Sequence, residues 1–234
     1  MFISEKKYKF TDETIKHKGR VLRRIEALKD FADVKKGDKG GFIEKVRNLS
    51  HIGNSWVFFD ALVYGNAKVC ENAKVCDNSE VGGNAIIYGN AIVCGNARIY
   101  DNAQVGDNAQ VCGNAQVGDN AQVGKNAKVC DNAMVYDRAE VYENSIVCSD
   151  AQVCGYATIF GNAVIADKCD YIVFKNWWSS GRHFTWTKSN NMWSVGCFYG
   201  TGKELIEKSY EDSELSGKEY ERVVKYVESI IKEQ

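Results

Sequence analysis

Not one proline occurs in the 234 residues, and there are only three histidines and three methionines. With 44% hydrophobic and 12% aromatic residues, a long disordered tract is excluded. No apolar run approaches the roughly 18 residues that a membrane-spanning helix requires. The opening MFISEKKYKF has no apolar export segment, so a reducing, cytoplasmic setting with mostly free thiols is expected for the nine cysteines. A formal net charge of −1 carries no global signature of nucleic-acid or membrane binding.

That near-neutral balance hides a segregation. Residues 1–50 hold 14 basic against 8 acidic side chains, residues 51–170 hold 7 against 14, and residues 171–234 hold 9 of each. The pattern changes at the same places, which divides the chain into an N-terminal β capping segment (1–50), a repeat (51–170) and a C-terminal cap (171–234).

The repeat has a period of six. From Val57 to Ile165 every sixth residue is Val or Ile, and a small residue, usually Ala, follows four places later. Asn usually precedes the small residue, as at Asn66, Asn72 and Asn78. Nineteen such units fill 57–170. One β-branched anchor and one small residue per six describe a parallel β-helix, three units making an 18-residue triangular coil. Val and Ile point inward, and Asn is expected to take the left-handed backbone at each corner, which it tolerates better than most residues. Stacked at about 4.8 Å, the coils form a prism.

This repeat resembles the hexapeptide-repeat superfamily, whose best-known members are acyltransferases. The resemblance implies a left-handed parallel β-helix within an all-β chain carrying a small α/β C-terminal cap. It also implies homotrimers. Outward Ile86 and Ile92 interrupt positions otherwise rich in Lys, Gln and Glu and fit such a subunit interface. The ends carry a narrower resemblance. Lys7-Tyr8-Lys9-Phe10-Thr11, the stretch Asp33 to Phe42, Asn48-Leu49-Ser50 and Ser194 to Thr201 look like segments of uncharacterised bacterial and prophage hexapeptide-repeat, or polymer-forming, proteins. A phage or prophage accessory role follows from that resemblance, not from composition.

In the N-terminal segment the alternation Val21, Arg23, Ile25 predicts a hairpin with one covered face. Residues 171–200 abandon the period and hold nine aromatics, including four of the five tryptophans. Turn signals at Ser179-Ser180-Gly181 and Asn190-Asn191 predict three strands. Thr201…Glu204 and Ser216…Glu219 have capping-box spacing, so two helices follow, the second with the stripe Val223, Val224, Val227, Ile230, Ile231.

Chemistry is sparser. A hexapeptide acyltransferase needs a histidine base within hydrogen-bond reach of its substrate. Here His17, His51 and His183 all lie outside the regular units, and no loop interrupts 57–170. His51 falls on the inward slot six residues before Val57. No catalytic residue is therefore assigned. Cys76, Cys94, Cys112, Cys130 and Cys148 are spaced by 18 and should stack as a row, a poor tetrahedral cage with no CxxC pair. Asp101, Asp119 and Asp137 repeat at the same spacing, where a weakly bound Ca²⁺ could relieve their repulsion. Neither row is assigned a metal, and no cofactor is expected. Tyr64, Tyr100 and Tyr136 alternate with Gly82 and Gly118 on another corner.

The ligand-binding residues expected lie in the cap: Trp177, Trp178, Arg182, His183, Trp186 and Trp193. Clustered indoles beside a guanidinium can stack a base or sugar and pair with a phosphate. The resulting reading is an oligomeric, non-enzymatic β-helix binding protein that sequesters a host protein or a small nucleotide-like ligand. An acyl-CoA-dependent transferase using His183 or His51, and a structural polymer-forming module, are the alternatives.

Overall fold

The computed structural model describes residues 6–232. The opening MFISE, read above for an export signal, lies outside them. Three strands come first, β1 (Tyr8–His17), β2 (Arg20–Ala27) and β3 (Lys39–Ile43). Nineteen two-residue strands follow at six-residue intervals, β4 (Trp56–Val57) through β22 (Val164–Ile165). They stack into three parallel sheets, the faces of a triangular β-solenoid of about seven turns. Register is strict: Ile92 pairs with Gln110 and Val93 with Val111, each 18 residues on.

The core is the predicted one. Val and Ile at the strand ends and Ala at the corners are almost wholly buried, packed in one continuous cluster from Tyr8 to Ile165. The corner conformation differs from the expectation. The left-handed residue is not Asn but its predecessor, with φ +70° at Gly65, +60° at Asp77 and +54° at Asp101. That leaves the Asn backbone N–H to donate to the carbonyl of the left-handed residue one coil on, as Asn66 does to Gly83 at 2.7 Å. The Asn amides then stack, Asn72 Nδ2 donating to Asn90 Oδ1 at 3.1 Å and Asn90 to Asn108 at 3.0 Å. Such amide ladders suit in-register parallel strands.

The solenoid starts earlier than residue 51. Phe42 pairs in parallel with Leu62, and Leu49 bridges to Val69, so the first turn uses the end of the capping segment. Leu49, not His51, occupies the inward slot there. β1 and β2 extend the same sheet as an antiparallel hairpin. Ile25 packs into the solenoid core and Leu22 on the opposite face against Phe42 and Tyr64, so both faces of the hairpin are partly covered, while Val21 is 53% exposed. Lys7 is buried against the first turn, its Nζ donating to the Ser55 carbonyl at 2.7 Å. Tyr8 Oη donates to Val46 and Leu49 carbonyls at 2.8 and 3.0 Å. The entry segment thus closes one end.

The cap has four strands rather than three: β23 (Tyr171–Lys175), β24 (His183–Thr187), β25 (Met192–Val195) and β26 (Phe198–Gly200). Both expected turns are present, at Gly181 (φ +69°) and Asn191 (φ +52°), and a third at Gly196 (φ +59°) adds the extra strand. Helix α1 (Gly202–Asp212) begins with the Thr201–Glu204 capping box. Helix α2 (Glu214–Lys232) starts two residues before Ser216. Ser213 Oγ accepts from the Ser216 N–H at 3.1 Å and so takes the capping role expected of Ser216.

The cap meets the last coil through side chains. Thr158 N–H donates to Thr185 Oγ1 at 2.9 Å, Val164 N–H to Ser189 Oγ at 2.7 Å and Cys154 N–H to Tyr171 Oη at 3.3 Å. Edge amides that would template another strand are thereby occupied.

Candidate functional site

The corner that precedes the face containing Thr158 carries one Asn row. Asn66 donates to Asn84, Asn84 to Asn102 and Asn102 to Asn120, at 3.0, 3.0 and 3.2 Å. The row then stops, because Arg138 and Tyr156 stand where the next two asparagines belong. The backbone is unaffected, with Arg138 N–H donating to the Gly155 carbonyl at 2.9 Å. The Arg138 guanidinium lies 5.6 Å from the Tyr156 ring centre. On its other flank Tyr156 stacks on His183, 4.2 Å between centroids and 3° between planes.

His183 is placed by strand pairing, opposite Lys175 where β23 and β24 meet. The intervening tip is fixed: Asn176 N–H donates to the Arg182 carbonyl at 2.8 Å, and Asn176 Nδ2 to Tyr220 Oη at 3.0 Å. Solenoid corner and cap hairpin therefore form the two walls of an open groove of about 550 Å³. Arg138, Lys175 and Arg182 line it with Glu140 as the carboxylate. Smaller depressions continue along the coils past Arg138 and Tyr156 to Asn120. Among the described residues, Arg138, Lys175 and Arg182 have no carboxylate within ion-pair distance, whereas Arg20 and Arg24 near the other end are both paired. Unpaired cations around exposed aromatic faces can hold an anion bearing a planar ring.

The six residues expected from the sequence do not converge. Arg182 and His183 line the groove. Trp186 and Trp193 are 3% and 2% exposed, in the cap's own core with Phe184, Leu205, Tyr220 and Val224. Trp186 also spends its indole N–H on Asn191 Oδ1 at 2.9 Å. Trp178 packs edge-on against Tyr220, 4.9 Å between centroids. Trp177 is 74% exposed and touches Trp178 edge-on, away from the groove-lining residues. Four short strands and two helices need large aromatics to make a core at all. The groove residues that composition misses are Arg138, Tyr156 and Lys175. Aligning the repeat with itself marks the first two, as breaks in an Asn row.

The other candidates have structural occupations. His51 Nδ1 accepts the Lys7 N–H at 3.2 Å and its ring stacks on Tyr8 at 4.4 Å. Burial, then the charges of Lys7, Lys6 and Lys29, push its imidazole below the ordinary value. His17 lies 3.1 Å from Glu80, which also receives Lys18 at 2.8 Å, pinning the hairpin tip to the solenoid. The aspartate row serves the backbone: Asp119 accepts the Asp137 N–H at 3.1 Å and Asp137 accepts the Gly155 N–H at 2.9 Å. No group of three or more His, Cys, Asp or Glu among the described residues could hold a metal ion. The tyrosine–glycine alternation is steric, since a Cβ on Gly118 would lie 2.1 Å from the Tyr100 ring. Ile86 and Ile92 lie on different faces and form no single patch. Among the described residues no helix is long and apolar enough to cross a membrane.

Residues 93–107 match a family described as the YdcK beta solenoid repeat. The match covers less than one coil and concerns the scaffold alone. Comparison with curated proteins finds no match.

Proposed function

We propose that the chain is a non-enzymatic binding protein that holds a small, nucleotide-like anion in the groove between the last coils and the cap. The observation that carries this reading is the break in the Asn row. Arg138 and Tyr156 replace the repeat's own residue where the corner meets Arg182 and His183 of the cap. Guanidinium groups bind phosphate through paired, charge-assisted hydrogen bonds, and the exposed Tyr156–His183 stack offers a flat surface to a base. Glu140 supplies an acceptor for a donor on that base.

A sequestering accessory role, for a small nucleotide signal or for a host protein, needs binding and no chemistry. End-to-end polymerisation is disfavoured by the covered edges at Thr158 and Val164. A transferase would need a base, and His183 is the one histidine that lines this groove.

Isothermal titration with ADP, adenosine and inorganic phosphate separates these readings. ADP should bind, with each fragment weaker. Arg138→Asn and Tyr156→Asn, which restore the repeat's own residue, should each lower ADP affinity about tenfold or more. Absence of ADP binding, or full affinity in both variants, overturns the proposal. Binding and turnover of acetyl-CoA, lost in His183→Ala, would establish the transferase instead.

A further inference from the structure

The third corner of the prism carries a different row. Cys76, Cys94, Cys112, Cys130 and Cys148 each follow the buried Val that ends a strand of one face. Their backbones stand in register, Cys76 N–H donating to the Val93 carbonyl at 2.8 Å, and Cys94, Cys112 and Cys130 to Val111, Val129 and Val147 at 2.9 Å. All five are free thiols and half-buried, so each remains open to solution. Burial, then the neighbouring Cys112 thiol, raises the Cys94 thiol above its ordinary value.

Geometry decides what such a row can hold. Three or more ligating groups nowhere converge among the described residues, which excludes a closed tetrahedral site. Two sulfurs are enough for a soft ion that binds in line. A metal–thiolate bond is about 2.3 Å, so the sulfurs on either side of one ion lie about 4.6 Å apart. Successive coils are about 4.8 Å apart. We propose that the cysteine row is a site for soft, monovalent, two-coordinate cations such as Cu(I) or Ag(I), each held in line between the sulfurs of adjacent coils.

Softness favours thiolate over the oxygen donors nearby. Those donors still help, because Asp77 and Asp131 stand beside Cys76 and Cys130, the latter thiol 3.7 Å from Asp131 Oδ2. Burial first, and then the adjacent carboxylates and thiols, raise Cys76 and Cys130 to about 11. Cys76 and Cys130 are therefore protonated at neutral pH. Each ion that enters between two thiols breaks two S–H bonds and forms two S–metal bonds. Two protons leave, the bis-thiolate complex carries one negative charge, and nothing is oxidised. Affinity should accordingly rise with pH.

The test uses reduced, full-length protein under argon, with Cu(I) supplied as its bicinchoninate complex and stoichiometry read by native mass spectrometry. Wild type should strip at least two ions from the competitor. Cys76→Ser/Cys148→Ser leaves three adjacent thiols and should retain at least one ion. Cys94→Ser/Cys130→Ser also leaves three, but about 9.6 Å apart, and should retain none. Equal retention by the two double variants, or no transfer to wild type, overturns the proposal. Melting curves establish that both variants fold, and Cys94→Ala/Cys130→Ala replaces the serine pair should it not. Cys112→Ser adds a positive control, since Cys76–Cys94 and Cys130–Cys148 remain as pairs and two ions should stay.

Discussion

At Asn102 and at Arg138 the main chain does the same thing. Asn102 N–H reaches the Asp119 carbonyl at 2.7 Å, and Arg138 N–H reaches that of Gly155 at 2.9 Å. Only the side chains differ, Asn102 continuing the amide row to Asn120 at 3.2 Å and Arg138 lying over Tyr156. The coil is closed by its backbone register and its inward Val, Ile and Ala. The outward corner residue adds little to that closure and is free to change. Regular coils thus show what the fold demands, and the last coils show what is left for function.

The comparison breaks most severely at an inward position. Val111→Asp would put an unpaired carboxylate among side chains that are 0% exposed. It should cost more than about 4 kcal/mol, leaving no cooperative transition by circular dichroism. A near-native melt would mean that the prism tolerates polar groups inside, against the reading of its core.

The next largest effect lies where prism meets cap. Along the prism a strand's first N–H finds the next coil, as Glu140 N–H reaches the Ala157 carbonyl at 2.9 Å, but Thr158 N–H relies on the single hydroxyl of buried Thr185. Thr185→Val keeps the shape and removes the acceptor, which should cost about 1–3 kcal/mol, read as a lower urea midpoint. An unchanged midpoint would show that packing between cap and coil suffices without that bond.

The same division explains what can be read in advance. A period of six repeated nineteen times states the inward set, the coil length and the parallel stacking. Translation makes each unit testify to all the others. The left-handed corner falls one residue before the expected Asn because Asn and the Gly or Asp preceding it both tolerate that backbone, and only the hydrogen-bond pattern separates them. The cap is harder, since it has no period. Its turns are legible at Gly181 and Asn191, but which aromatics face inward depends on packing. Trp186 and Trp193 therefore read as ligand contacts and lie in the core. Lys175 reaches the groove only through its pairing with His183, which sequence spacing does not record.

The two ends of the prism also differ in electrostatics, and pH sharpens that contrast. Among the described residues Lys7 has no carboxylate partner, only the Gly53 and Ser55 oxygens. Burial, then the charge of Lys29, lowers its amine from 10.5 to about 8. The folded state therefore releases this proton before the unfolded state does. Between about pH 8 and 10.5 the unfolded chain binds more protons, so this group makes stability rise with pH, and below pH 8 the full penalty of a buried charge remains. The thiols raised above their ordinary value act in the opposite sense at high pH. The wild-type stability minus that of Lys7→Met isolates the lysine, and this difference should climb from pH 8 to pH 10. A flat difference would mean that the ammonium is well solvated by its carbonyl partners.

The smallest expected effect is the most discriminating. Arg138→Asn removes the cation over Tyr156 and should rejoin the row, with Asn120 Nδ2 donating to a new amide as Asn102 does to Asn120 at 3.2 Å. The new amide hydrogen bond and the cation–π interaction it replaces are both exposed. Each is worth about 0.5–1 kcal/mol, so the two should nearly cancel. The melting temperature should stay within about 3 °C of wild type while ADP binding falls. A loss of more than about 2 kcal/mol with affinity intact would place Arg138 among the structural residues, and the break in the row would then record a packing need of the cap rather than a binding site. Near-silent stability with lost affinity is what separates a residue the fold leaves free from one it requires.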